Sequence, residues 1–213
     1  MKLLISATII SSLIFLIIDV IWLSFSVKSF YRPNIGHLLL ETPVMWAAIL
    51  FYLIYVIGLA VVIIEPSLDY QNTQKFLIKA FMFGLVAYGT YNLTNMATIK
   101  GWSPNVVFVD MIWGGSLTTF SSYFGILLAK NLYREIGRKL KKSDNPTFWR
   151  NRSHLNFFEK TLISFKTFFE FILTIGMKNI PEKYQTNEIE YYDSIIKHGH
   201  DHLEKKFKLN EKF

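Results

Sequence analysis

Four stretches of this chain, Leu3 to Phe25, Val44 to Ile64, Phe76 to Ile99 and Val106 to Ala129, are each apolar over a length that matches a bilayer. About 20 helical residues at roughly 1.5 Å each cross the ~30 Å of hydrocarbon. In lipid every backbone N–H and C=O must be bonded within the protein, so an apolar run of this length is expected to be an unbroken helix. The sequence therefore predicts an all-α fold, a four-helix transmembrane bundle. Pro33, Pro43, Pro66 and Pro104 all fall between the four stretches, where proline would mark helix boundaries. The first stretch follows Lys2, but no small-residue cleavage site ends it, and it reads as a retained anchor rather than a secretory signal.

Charge separates the chain at the end of the fourth stretch. Residues 1–129 carry six basic and five acidic side chains, and residues 130–213 carry seventeen and eleven. This divides the protein into a transmembrane domain over 1–129 and a basic tail over 130–213. Lysine and arginine favour the cytoplasmic side of short loops. Lys2, Lys75 and the run Lys130, Arg134, Arg138, Lys139, Lys141 and Lys142 share one side of a four-span topology, against Lys28, Arg32 and Lys100 on the other. Both termini are thus expected in the cytoplasm, with the protein multi-pass in a cell inner membrane. The tail carries no nucleic-acid-binding signature and starts where the chain leaves the membrane, so anionic lipid headgroups, not nucleic acid, are its expected counterpart.

Within the tail, residues 156–177 form the clearest amphipathic element. On a helical wheel Glu159, Lys166 and Glu170 share an edge flanked by Ser164, Thr167 and Thr174, while Phe158, Leu162, Phe165, Phe168, Phe169 and Ile172 cover the far side. Its charges disfavour spanning, and an interfacial helix along the inner leaflet is expected, with docking against a partner or the bundle as the alternative. Further on, "HGHDH" supplies His198, His200 and His202 as weak metal-ligand candidates. Gly199 loosens that segment, and the chain has no cysteine to complete a site. No cofactor is expected.

The chemistry of the membrane part centres on a doubled motif. "IDVIWLS" at 18–24 and "VDMIWGGS" at 109–116 each place an aspartate three residues before a tryptophan. Antiparallel spans bring Asp19 with Trp22 and Asp110 with Trp113 to similar depth. Tyr88, Tyr91, Asn92 and Asn95 lie within one arc of the third helix at that level. Trp46, near the start of the second helix, adds an aromatic group to that layer, although for Trp46 and Trp102 a place in the interfacial belt is favoured over ligand contact. A charged side chain in hydrocarbon costs about 2.5–3.5 kcal/mol on insertion scales, so both aspartates should face the interior. There they are either protonated or paired with Arg32 or Lys100. Gly114, Thr118 and Ser122 form a ladder of small residues that, with Gly84 and Ala87, permits close helix packing.

Strings across the first 129 residues resemble a known family. "IDVIWLSFSVKSFYRPNIG", "AILFYLIYVIGL", "FGLVAYGTYNLTNMATIKGW" and "VDMIWGG" are similar to the bacterial integral-membrane family catalogued as domain of unknown function 2177. The resemblance implies a four-helix inner-membrane protein with no established activity, and genes placed near lipid-modifying enzymes. The family usually has aspartate where this chain has Asn92, and the tail beyond residue 130 exceeds a compact member. No H-E-x-x-H, G-x-S-x-G, Walker A or G-x-G-x-x-G string occurs, which leaves the aspartates, tyrosines and asparagines as the reactive inventory. The expected function is binding of a lipid or small amphipathic molecule in an outer-half polar cavity, linked to membrane lipid modification or envelope stress. Two alternatives stand beside it: a lipid-modifying enzyme or enzyme subunit using the paired aspartates, and a small oligomeric transporter or channel. A homo-oligomer or a membrane protein partner is compatible with each.

Overall fold

The computed structural model describes residues 2–68, 72–142 and 157–174, and the described residues are helical with no strand. Helix α1 spans Lys2–Ser26 and continues through a π turn, Val27–Tyr31, into a short α2, Arg32–Ile35, and a 3-10 turn, Gly36–Leu38. Helix α3, Met45–Leu59, likewise runs through a π turn, Ala60–Ile64, into α4, Glu65–Leu68. Then come α5, Thr73–Thr98, and α6, Pro104–Lys142. The last described helix is α7, Phe157–Thr174. The chain divides into two compact units, Met1–Ile126 and Leu127–Phe213.

Among the described residues, three helical rods are long and apolar enough to cross a membrane: Leu3–Leu38, Met45–Leu68 and Thr73–Thr98. The sequence expectation was four. Helix α6 has the length, but Gly114, Gly115, Ser116, Thr118, Thr119, Ser121 and Ser122 dilute its apolar character.

The prolines also depart from expectation. Pro43 lies between rods and Pro104 opens α6, where its missing N–H is harmless. Pro33 and Pro66, however, sit inside rods, at the second residue of α2 and α4. A helical proline ring clashes with the carbonyl four residues earlier. Those carbonyls belong to Ser29 and Val62, each in the middle of a π turn. The widened turn relieves the clash by taking up an extra residue, so the helix bends its phase and does not end.

The first unit buries polar side chains among apolar ones and exposes many large apolar residues. Along α1, Ala7, Ser11, Phe15 and Asp19 recur every fourth residue and are buried, while Ile5, Ile9, Leu13, Ile17 and Ile21 repeat at the same interval and are exposed. Buried Phe15, Tyr55 and Leu117 form the apolar centre, with Tyr52, Phe83, Tyr88 and Trp113 packed around it. The Tyr55 hydroxyl reaches Thr118 Oγ1 at 2.5 Å, and Thr118 in turn donates to the Gly114 carbonyl at 2.5 Å. Water would favour the opposite distribution, whereas lipid accepts the apolar exterior and leaves polar groups to pair within.

Small residues set the helix spacing. A Cβ on Gly84 would collide with the Gly114 carbonyl oxygen and Thr118 Oγ1, and one on Gly114 would collide with the ring of Tyr88. At the far end of α6, a Cβ on Gly125 would lie 2.7 Å from the Ser11 Cα. The order of these contacts makes α6 antiparallel to both α1 and α5. Between α5 and α6 the turn needs Gly101, whose φ is +85°, and a Cβ there would also lie 2.8 Å from His37 Nε2.

In the second unit, α7 turns the edge bearing Thr167 inward. Asn131 Nδ2 donates to Thr167 Oγ1 at 2.6 Å, and Arg134 Nη2 donates to Asn131 Oδ1 at 2.6 Å. Phe158, Leu162 and Phe165 are exposed. Residues 175–177 of the amphipathic segment and His198, His200 and His202 lie outside the described residues.

Candidate functional site

Two aspartates define one end of the first unit. Asp19 on α1 is 5% exposed and Asp110 on α6 is 7% exposed. Each shares a helix face with the tryptophan three residues on, because a three-residue step returns close to one turn. The antiparallel packing of α1 and α6 then sets the two motifs face to face. Trp22 and Trp113 stack with ring centroids 4.4 Å apart and planes 20° from parallel.

The hydrogen bonds cross between the motifs. Trp113 Nε1 donates to Asp19 Oδ1 at 3.1 Å, so the second tryptophan serves the first aspartate. The first tryptophan reaches the second aspartate through an intermediary. Trp22 Nε1 donates to the Tyr31 hydroxyl at 3.3 Å, and that hydroxyl donates to Asp110 Oδ1 at 2.5 Å. The remaining oxygens are also held. Tyr52 Oη donates to Asp19 Oδ2 at 2.6 Å, and Asn92 Nδ2 donates to Asp110 Oδ2 at 3.1 Å. Asn92 is fully buried and also donates to the Tyr88 carbonyl at 3.1 Å, but its Oδ1 has no partner among the described residues.

Beside these groups lies a cavity of about 350 Å³. Asp19, Trp22, Tyr88, Tyr91, Asp110 and Trp113 line it, with Leu23, Tyr31, Phe51 and Ala87 completing the wall. Six of the eight residues expected to bind a ligand are therefore gathered on one surface. Asn92 stands directly behind Asp110, and half-buried Asn95 engages the neighbouring Tyr91.

Trp46 is 70% exposed and is not in the cavity wall; from α3 it is Phe51 that lines the space and Tyr52 that holds Asp19. The pairing of the acids with Arg32 or Lys100 needs correction. Arg32 and Lys100 are exposed, and the hydrogen bonds to the two carboxylates come from tyrosine, tryptophan and asparagine, all neutral. Tyr31, beyond the end of the first apolar stretch at Phe25, belongs to the first rod and to the site.

Tyr31 owes its place to the π turn. Nine residues separate it from Trp22, which at about 100° per residue would put it on the opposite side of a regular helix. Absorbing one extra residue leaves the rotation of about eight, an offset near 80°. The long side chains close the remainder. Tyr52 had a legible signal, being one of two tyrosines, with Tyr55, three residues apart in an otherwise hydrocarbon stretch.

Chemically, the site offers two carboxylates with unused lone pairs, an unpaired amide oxygen and several aromatic faces. Among the described residues no three His, Cys, Asp or Glu side chains converge as metal ligands. A family model described as "Predicted membrane protein (DUF2177)" matches residues 4–127. No curated protein and no solved structure matches the chain.

Proposed function

Because the chain belongs to this family of predicted membrane proteins, whose function is unknown, we propose that it is a multi-pass membrane protein that binds a lipid or small amphipathic molecule between its doubled aspartate–tryptophan motifs. The observation that carries this reading is the cavity of about 350 Å³, into which both motifs and two tyrosines of α5 converge. Its volume falls at the lower end of small-molecule pockets, and its wall combines apolar and aromatic area with a few fixed polar groups. The apolar residues exposed along α1, α3 and α5 would face the lipid from which such a ligand would enter. Mass spectrometry of lipids co-purified with the protein tests the reading: a discrete amphiphile retained by the parent and lost from Asp19→Asn and Asp110→Asn supports it, and an unselective sample of bulk lipid in all three overturns it.

In this reading α6 is the fourth span, its small polar residues facing neighbouring helices while its exposed Phe108 and Ile112 join the other three rods in contact with lipid. The basic residues from Lys130 to Lys142 support a topology with both termini in the cytoplasm of an inner-membrane protein. Helix α7 lies along the inner leaflet, supported by its exposed Phe158, Leu162 and Phe165 and its inward-bonded Thr167. The chain has no cysteine, so single cysteines at positions 28, 100 and 141 report topology directly. The first two should react with an impermeant maleimide outside intact cells and the third only after lysis. Outside labelling at 141 would reverse the orientation.

A further inference from the structure

The site contains more hydrogen-bond acceptors than donors to fill them. An ionised carboxylate has about four lone-pair positions, so Asp19 and Asp110 together offer about eight. Four donors reach them, from Tyr31, Tyr52, Asn92 and Trp113. Asn92 Oδ1, in a side chain with no exposure, adds a further unfilled acceptor beside Asp110. Among the described residues no lysine, arginine or histidine lines the cavity. The wall is instead built of electron-rich rings: the stacked Trp22 and Trp113, with Tyr88 and Tyr91. Indole and phenol faces attract cations, the more strongly when water is excluded. Acceptors without donors, buried acids without a cation and aromatic walls all lack the same thing.

We propose that the ligand is an organic cation, an ammonium or quaternary ammonium group carried on an apolar body; this rests on the proposed reading of the cavity as an amphiphile site and names its ligand class. The positive centre sits between the carboxylates and the indole faces, and the apolar body lies against Leu23, Phe51 and Ala87. The space of about 350 Å³ admits a head of this kind with a short apolar extension, and is too small for a two-chain lipid whole. A phosphate or sulfate head is disfavoured, because it would bring negative charge against two carboxylates in a medium of low dielectric.

Three probes of nearly constant shape test the charge separately from the apolar fit: phenyltrimethylammonium, its uncharged isostere tert-butylbenzene, and benzenesulfonate. They are titrated into the full-length protein in phosphatidylcholine nanodiscs, with tryptophan fluorescence as the readout and Trp22→Phe with Trp113→Phe as the control for signal from the site. The cation should saturate at a concentration at least about tenfold below the hydrocarbon, as expected for a desolvated cation–π and charge contact. Benzenesulfonate should be the weakest. Asp19→Asn combined with Asp110→Asn should erase the tenfold preference while leaving the hydrocarbon's affinity; if that protein does not fold, Asp19→Asn alone should reduce the preference. Equal or tighter binding of tert-butylbenzene, or tightest binding of benzenesulfonate, overturns the cation proposal and leaves the amphiphile reading standing. Saturation by none of the three removes both.

Discussion

The two aspartate–tryptophan motifs are nearly the same in sequence and quite different in how they are held. Asp19 is bonded directly by the opposite motif's tryptophan and by Tyr52 from α3. Asp110 meets the opposite tryptophan only through Tyr31, and is backed by a fully buried Asn92. The residue after each tryptophan differs as well: Leu23 lines the cavity, while Gly114 lies where α5 and α6 touch. A repeated string therefore does not produce a repeated environment. One copy faces the cavity with its flank, and the other uses its flank to let a helix approach.

Exchanging those flanking residues breaks the comparison most severely. Gly114→Leu drives a side chain into the ring of Tyr88 and should cost about 3 kcal/mol or more. Little folded protein should survive size-exclusion chromatography. Leu23→Gly should fold, because Leu23 borders open space. Comparable losses from both would mean that the motifs are structurally equivalent after all.

The aspartates themselves come next. Asp110→Ala strands donors from Tyr31 and from Asn92, a side chain with no exposure and one atom already unpaired, at about 1–3 kcal/mol. Asp19→Ala strands Tyr52 and Trp113, which are only partly buried and can adjust, and the loss should be smaller. Thermal unfolding in detergent ranks the two. With asparagine in place of alanine, stability losses should add if the sites are independent. Ligand retention should not add, since disabling either side of a shared cavity already disables it.

The relay predicts a smaller asymmetry. Tyr31→Phe removes two hydrogen bonds and Tyr52→Phe removes one, and in bundles such bonds average well under about 2 kcal/mol each. Tyr31→Phe should lower the midpoint further, and it should also alter the near-ultraviolet signal of Trp22. Smallest of all are Arg32→Ala and Lys100→Ala, expected within about 0.5 kcal/mol of the parent. A larger loss in either would restore the ion pairs that the geometry does not contain.

The parts of the site that were legible follow from regular periodicity. Asp19 and Trp22, Asp110 and Trp113, and Tyr88, Tyr91 and Asn92 obey the helical repeat, so their faces could be assigned from spacing alone. The close approach of Gly84 to Gly114 was likewise written in small residues. Tyr31 was not legible, because its face depends on a π turn that shifts the repeat by one residue. Trp46, a tryptophan near a span's end, reads first as a lipid-interface residue, and its side chain is exposed and outside the cavity wall. Arg32 and Lys100 were invoked to neutralise buried acids, yet neutral donors occupy the places where they were expected.

Pro33 touches none of the bonds that hold Asp110, but it sets the phase in which they form. By making one turn hold a spare residue, it acts on the helix as an inserted tooth acts on a gear, advancing every later side chain relative to those before it. Pro33→Ala alone would free that turn to regularise, carrying the Tyr31 hydroxyl away from Asp110 and from Trp22. Pro33→Ala combined with deletion of Ser29 would remove the spare residue along with its cause, and should return Tyr31 to register with Trp22. Two changes that each disturb the count would then cancel, so the meshing of α1 with α6 is conserved by arithmetic along the chain and not by the identity of any residue in the turn.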